Sequence, residues 1–177
     1  RKGGANISGA TSASYTVANA QLGDAGDFEV IVTNPAGSVT SQVAKLTVYT
    51  APSIVSQPVP QTVTAGSIAS FQVTASGSAP LGYQWRAGAN LVGATSPTLV
   101  ITNAQNADAA NYDVVVTNAA GMVTSDSAAL TVQTPIVIVT PPDSLSVPVG
   151  QDAVFGVTVT GTDPISYQWR HAGVAVA

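Results

Sequence analysis

The chain has 177 residues, with 5 Lys and Arg against 9 Asp and Glu, a formal net charge of −4 and only 8% charged positions, where soluble domains average about 25%. Arg1, Lys2, Lys45, Arg86 and Arg170 are scattered, which excludes a cationic nucleic-acid surface, because phosphate neutralisation needs several cations on one face. A hydrophobic share of 45% excludes a disordered coil, yet no apolar run approaches the roughly 18 residues of a membrane-spanning helix.

Cysteine is absent and histidine occurs once, so thiol nucleophiles, disulfides and multi-ligand Cys/His metal sites are excluded. Arg1-Lys2-Gly3-Gly4 leads into polar and small residues rather than an apolar core of a signal peptide. Residue 1 is therefore not expected to be the first residue of the gene.

A repeat of 84 residues organises the chain: Trp85 recurs as Trp169, Tyr83-Gln84 as Tyr167-Gln168, and Leu46-Thr47-Val48 as Leu130-Thr131-Val132. In chain order, the first stretch carries Asp24, Phe28, Val30, Asn34 and Gly37, which map onto Asp108, Tyr112, Val114, Asn118 and Gly121. Phe71, Val73, Gly77 and Pro80 of the second stretch map onto Phe155, Val157, Gly161 and Pro164 of the third. The expected division is the C-terminal half of one module at 1–49, a complete module at 51–133 and the N-terminal half of another at 135–177. Tyr49-Thr50-Ala51-Pro52 and Gln133-Thr134-Pro135 form short joints whose prolines stiffen the connection, as in a rod.

Each module reads as β-structure. Ala69, Phe71, Val73 and Ala75 alternate with Ser70, Gln72 and Thr74, the period of a strand with one buried face. Tyr83 and Trp85 alternate with Gln84 and Arg86, Leu99 and Ile101 follow a Gly/Ser/Pro loop, and Tyr112, Val114 and Val116 alternate again. Asn118-Ala119-Ala120-Gly121 supplies a hairpin turn through residues that tolerate positive φ. A last strand is expected from about Met122 to Val132. Six to eight short strands per period indicate an all-β sandwich.

With these motifs in place, the chain resembles tandem immunoglobulin-like domains, of the I-set type found in bacterial surface and secreted proteins. Phe71-Gln72-Val73, Trp85 and the stretch Asp108-Ala109-Ala110-Asn111-Tyr112-Asp113-Val114 carry the resemblance, as does Asp24 through Val30. It implies a sandwich core of Phe71, Val73, Trp85, Leu99, Tyr112 and Val114, with Phe155, Val157, Trp169, Phe28 and Val30 as the corresponding residues of the flanking modules. Valine occupies both positions where the family carries its core cysteines, Val73 and Val114. A disulfide closing that loop would contribute about 4 kcal/mol, whereas each buried valine is worth about 1.5–3 kcal/mol, so packing replaces much of the crosslink. The resemblance also makes Tyr112 the corner tyrosine, a hydroxyl donor to backbone that Phe28 cannot replace. The first module should have the weaker corner.

No catalytic constellation appears. His171 has no partner at a recognisable spacing and reads as an exposed loop residue. Asp24 with Asp27, and Asp108 with Asp113, raise a calcium site, but alternating strand residues do not converge to the six to eight oxygens the ion needs. Asp24 and Asp108 fit better as side-chain caps of the E–F corner. The few acids show no pairing suited to glycoside hydrolysis; nucleophile-elbow, phosphate-loop and dinucleotide motifs are missing. Asn6-Ile7-Ser8 is a formal glycosylation sequon.

Val115 and its counterpart Ile31 point opposite to the core residues and should face solvent, a possible contact surface. With sparse charge and about a fifth Ser and Thr, the surface repels neighbours weakly and favours association. The expected function is a non-enzymatic extracellular or cell-surface repeat, such as a stalk, adhesin spacer or fibre subunit. The alternative is an accessory glycan- or protein-binding module of a larger secreted enzyme or adhesin. The expected partners are neighbouring modules of the same or an identical chain and a cell-surface glycan or protein, without cofactor, nucleic acid or membrane insertion. The two partial modules could also complete one another between chains.

Overall fold

A computed structural model describes residues 1–176, which form short β-strands joined by turns, with two single-turn 3-10 helices at Leu22–Asp24 and Asn106–Asp108. The residues gather into two compact units. The first comprises Arg1–Ser53, Ala75–Gly82 and Val116–Val123; the second comprises Ile54–Thr74, Tyr83–Val115 and the residues from Thr124 onward.

The main core lies within residues 51–133. One sheet runs in the order Asn90–Leu91, Gly82–Ala87, Asn111–Asn118, Ala128–Gln133, Gln61–Thr64, with Gly121–Thr124 as an additional partner of Asn111–Asn118. The edge pair is parallel, Leu130 opposite Gln61 and Val132 opposite Val63. Facing this sheet, Ala69–Gln72 pairs antiparallel with Thr98–Ile101, Leu99 opposite Phe71. The alternation of apolar with Ser, Gln and Thr side chains puts Ala69, Phe71 and Val73 inside and their neighbours outside.

Phe71 and Trp85 are fully buried, and Val73, Leu99, Tyr112 and Val114 are buried with them. The Phe71 ring stands between two others, 6.3 Å from Trp85 at an interplanar angle of 40° and 5.2 Å from Tyr112 at 26°. Offset aromatic pairs of this kind add about 0.5–1.5 kcal/mol beyond their burial. The Trp85 indole N–H donates to the Ser96 carbonyl at 3.0 Å, which satisfies the one polar group the tryptophan brings inside.

Two local expectations change. The strand expected from Met122 to Val132 is two strands, Gly121–Thr124 and Ala128–Gln133. Ser125 breaks it. Its N–H donates to the Val114 carbonyl at 2.9 Å, its Oγ accepts from the Val114 N–H at 3.0 Å, and the Asp126 N–H turns away to Gln57 Oε1 at 2.9 Å. At the Asn118–Gly121 turn only Gly121 takes a positive φ, 148°. Asn118 contributes through its side chain, whose Oδ1 accepts from the Ala120 N–H at 2.9 Å.

The first unit carries Gly26–Phe28 paired with Ala44–Leu46 and a hairpin of Ile31–Asn34 with Gly37–Thr40. Phe28 is half-buried and stacks on Tyr15, ring centroids 6.2 Å apart. Val30, expected in a core, is 51% exposed. Phe155 and Trp169, expected in a core as well, are 52% and 43% exposed, and Val157 is half-buried. The cause is the absence of covering strands. Phe71 and Trp85 are roofed by Leu99, Tyr112 and Val114, and nothing within the 177 residues stands at the same offset to Phe155 and Trp169; Val30 has no counterpart of Phe71, and Arg1 stands at the offset of Trp85.

Candidate functional site

The most elaborated polar site surrounds the joints. At the first, the Thr50 N–H donates to Ser78 Oγ at 2.8 Å and the Ser78 N–H returns to the Thr50 carbonyl at 3.1 Å. Asn118 Nδ2 closes the arrangement, donating to the Thr50 carbonyl at 2.7 Å and the Ser78 carbonyl at 3.0 Å. Gly77 permits the approach: at φ 140°, a Cβ on it would lie 3.0 Å from Pro52 Cα. All these residues belong to the first unit.

The second joint repeats the first at the 84-residue offset, within the second unit. The Thr134 N–H donates to Thr162 Oγ1 at 2.6 Å and the Thr162 N–H to the Thr134 carbonyl at 3.0 Å. Gly161, at φ 159°, lies against Ile136, a Cβ there falling 3.0 Å from Ile136 Cα. Thr134 is held from the other side too, its Oγ1 accepting from Asn106 Nδ2 at 3.1 Å. The sequence carried these residues at matching positions, but Thr and Ser mark no period and no charge, so only the proline of each joint stood out.

The two corners repeat as well. Asp24 Oδ2 accepts from the Gln21 N–H and Asp108 Oδ2 from the Gln105 N–H, both at 2.8 Å, so each carboxylate closes its own 3-10 turn. The Tyr112 hydroxyl donates to the Asp108 carbonyl at 2.8 Å. Burial, and then the Asp108 charge, raise the Tyr112 pKa above its ordinary value. Phe28 offers no such bond; its ring receives Lys2 Nζ at 5.9 Å instead.

On the outer face of the six-stranded sheet, Arg86 and Asp113 form a bidentate pair, Nε to Oδ1 at 2.6 Å and Nη2 to Oδ2 at 3.0 Å. The bond to Asp113 raises the Arg86 pKa, so the guanidinium stays charged throughout the accessible range. Val115 shares this face with Asp113 and is half-buried rather than open; Ile31 is 41% exposed. His171 is exposed. Among the described residues, no group of three His, Cys, Asp or Glu side chains gathers to hold a metal, and no helix is long and apolar enough to cross a membrane.

Two apolar grooves complete the surface. One of about 620 Å³ lies in residues 1–49, against Tyr15, Val17, Phe28, Val30 and Leu46. The other, about 290 Å³, is lined by Ile136, Ile138, Val157, Val159, Tyr167 and Trp169.

The sandwich with its buried Trp85 and corner Tyr112 defines an all-β immunoglobulin-like fold, and residues 51–118 match the family model described as immunoglobulin domain. The chain superposes on an I-band fragment of titin with a TM-score of 0.80 at 22% identity, covering 89% of this chain and 59% of that one. It is 39% identical over 178 residues to the muscle M-line assembly protein unc-89 of Caenorhabditis elegans, covering 92% of this chain and 2% of that protein. It is 36% identical over 144 residues to endoglucanase C of Cellulomonas fimi, covering 76% of this chain and 13% of the enzyme. The chain thus spans only a small fraction of the curated relatives it matches.

Proposed function

We propose that residues 1–49, 51–133 and 135–177 belong to three successive immunoglobulin-like modules of the I-set type, and that the stretch serves as a non-enzymatic structural repeat outside the cell or at its surface. The carrying observation is the joint. Thr50 with Ser78 and Thr134 with Thr162 make the same reciprocal pair of hydrogen bonds 84 residues apart, and each is backed by a glycine that a side chain would displace. A joint built twice in one way points to a repeated, ordered connection; a flexible tether would need none of it. Each bond contributes about 0.5–1.5 kcal/mol and fastens Thr50 and Thr134 to the stretch that follows them. The surrounding modules of the same or an identical chain are its first partners.

The match to endoglucanase C favours a second reading, an accessory glycan- or protein-binding module within a larger secreted enzyme. Labelling intact producer cells with an antibody raised against the native protein separates the two. Dense surface label on a polypeptide with no hydrolase domain supports the structural repeat. Release into the medium on one polypeptide with a polysaccharide-degrading activity supports the accessory module, and label confined to the cell interior contradicts both.

A further inference from the structure

We infer that Asn106 is a latch that fixes the second joint, at Thr134, to the corner of the module before it, and that the first joint, at Thr50, lacks the latch and acts as the hinge. The inference deepens the structural-repeat reading proposed above and rests on it. Thr134 is gripped from two sides. Toward the following stretch its N–H donates to Thr162 Oγ1 at 2.6 Å and its carbonyl accepts from the Thr162 N–H at 3.0 Å. Toward the preceding module its Oγ1 accepts from Asn106 Nδ2 at 3.1 Å and donates back to Asn106 Oδ1 at 3.3 Å. The N–H, the carbonyl and the hydroxyl of this one residue are all engaged.

Asn106 can hold Thr134 because the turn that carries it is itself held. It opens the 3-10 turn Asn106–Asp108, where Asp108 Oδ2 accepts from the Gln105 N–H and the Asp108 carbonyl accepts the Tyr112 hydroxyl, both at 2.8 Å. Gln105 Nε2 adds bonds to the Asn103 carbonyl and to Asn103 Oδ1, each at 3.0 Å. Tyr112 is buried against Phe71, so a continuous path of bonds and packing leads from the core to the joint. A short amide on a fixed turn gives up little freedom when it bonds, the condition under which an exposed hydrogen bond keeps its strength.

The first joint has the same turn without the amide. Asp24 caps Gln21 at 2.8 Å as Asp108 caps Gln105, but Leu22 stands at the offset of Asn106 and is 60% exposed. Leucine has neither donor nor acceptor, so Thr50 Oγ1, the counterpart of Thr134 Oγ1, finds no side-chain partner there. Thr50 is held by Ser78 and Asn118, both from the stretch that follows it. Bending at Thr134 must therefore break side-chain bonds on one side or the other. Bending at Thr50 breaks no side-chain bond to the preceding stretch, and one Asn-to-Leu difference on a shared turn separates a fixed joint from a hinge.

The chain has no cysteine, so nitroxide labels go only where one is introduced. Met122→Cys/Val139→Cys spans the second joint and Ser38→Cys/Val55→Cys spans the first at the same offset, all four sites being exposed. Pulsed double electron–electron resonance reads the distance distribution across each. The expected result is a narrower distribution at the second joint than at the first. Asn106→Leu raises the broad component at the second joint by about 2–10-fold, the range that bonds of this class confer, and Leu22→Asn narrows the first. Asn106 is exposed and leucine already occupies the same turn at position 22, so the fold is kept; Thr134→Val, which keeps the shape and removes only the hydroxyl, gives the same broadening independently. Equal widths at the two joints, or a second-joint distribution indifferent to both Asn106→Leu and Thr134→Val, overturn the latch and, where narrow, leave the ordered joints standing. Distributions at both joints as broad as those of the urea-unfolded chain overturn the ordered joints themselves, and the structural-repeat reading with them.

Discussion

Val114 and Val30 occupy equivalent positions and make the same two hydrogen bonds, to Ser125 and Ser41. Val114 is completely buried, whereas Val30 is half open to solvent. The strand around Val114 runs unbroken from Asn111 to Asn118, while its counterpart stops at Phe28 and resumes at Ile31. The difference between the two regions lies in what surrounds them. Asn111–Asn118 has strand Gly82–Ala87 on one side and Phe71 above; residues 26–34 have only the short bridge of Arg1–Gly3 beside Asp27–Glu29, with Lys2 opposite Phe28, and no phenylalanine above. Turns, caps and serine bonds are thus dictated by local sequence, and burial depends on a second half that brings phenylalanine and tryptophan.

Substitution at the paired positions should expose this difference most strongly at the tryptophans. Trp85→Ala is expected to cost about 3–5 kcal/mol in urea denaturation followed by circular dichroism, and Trp169→Ala about 0.5 kcal/mol or less. Equal losses would mean that both tryptophans are core residues in solution. The next effect belongs to the serines. Ser125→Ala leaves the buried Val114 N–H without a partner and should cost about 1–3 kcal/mol, whereas Ser41→Ala, on an exposed strand, should stay within about 0.5 kcal/mol.

The corners come third. Tyr112→Phe removes the bond to the Asp108 carbonyl and should cost about 0.5–1.5 kcal/mol; Phe28→Tyr places a hydroxyl at the equivalent corner and should stabilise residues 1–49 by a smaller amount. The same pair predicts a pH dependence. The Tyr112 pKa is raised in the folded chain above the reference of 10.0, so the unfolded tyrosine ionises first. The stability linked to this shift is complete below pH 10.0 and is lost as pH rises through the folded pKa. Unfolding free energy should therefore fall above pH 10.0 more steeply in the unaltered protein than in Tyr112→Phe. The smallest effect is at the joint: Ser78→Ala should change global stability by under about 1 kcal/mol, while the Thr50 amide exchanges faster with solvent.

The sequence made the all-β sandwich legible because burial on one face writes a period of two into Ala69 to Ala75, and because Trp85 and Trp169 fix an 84-residue repeat. It did not reveal the break at Ser125, since one serine among valines and threonines leaves the alternation intact. It missed the joint bonds because Thr50, Ser78, Thr134 and Thr162 resemble any other polar surface residues; comparison at the repeat offset was the signal that singled them out. It placed Val30, Phe155 and Trp169 inside because a strand pattern records which face is apolar, and the presence of a covering layer is written elsewhere in the chain.

Hydrogen exchange read by mass spectrometry, on dilute protein, tests most directly whether burial separates regions of equal local structure. Amides of 69–73, 112–116 and 128–132 should exchange only through global unfolding, while those of 26–34 and 155–159 exchange orders of magnitude faster. Equal protection of Val30 and Val114 in a dilute monomer would contradict the account.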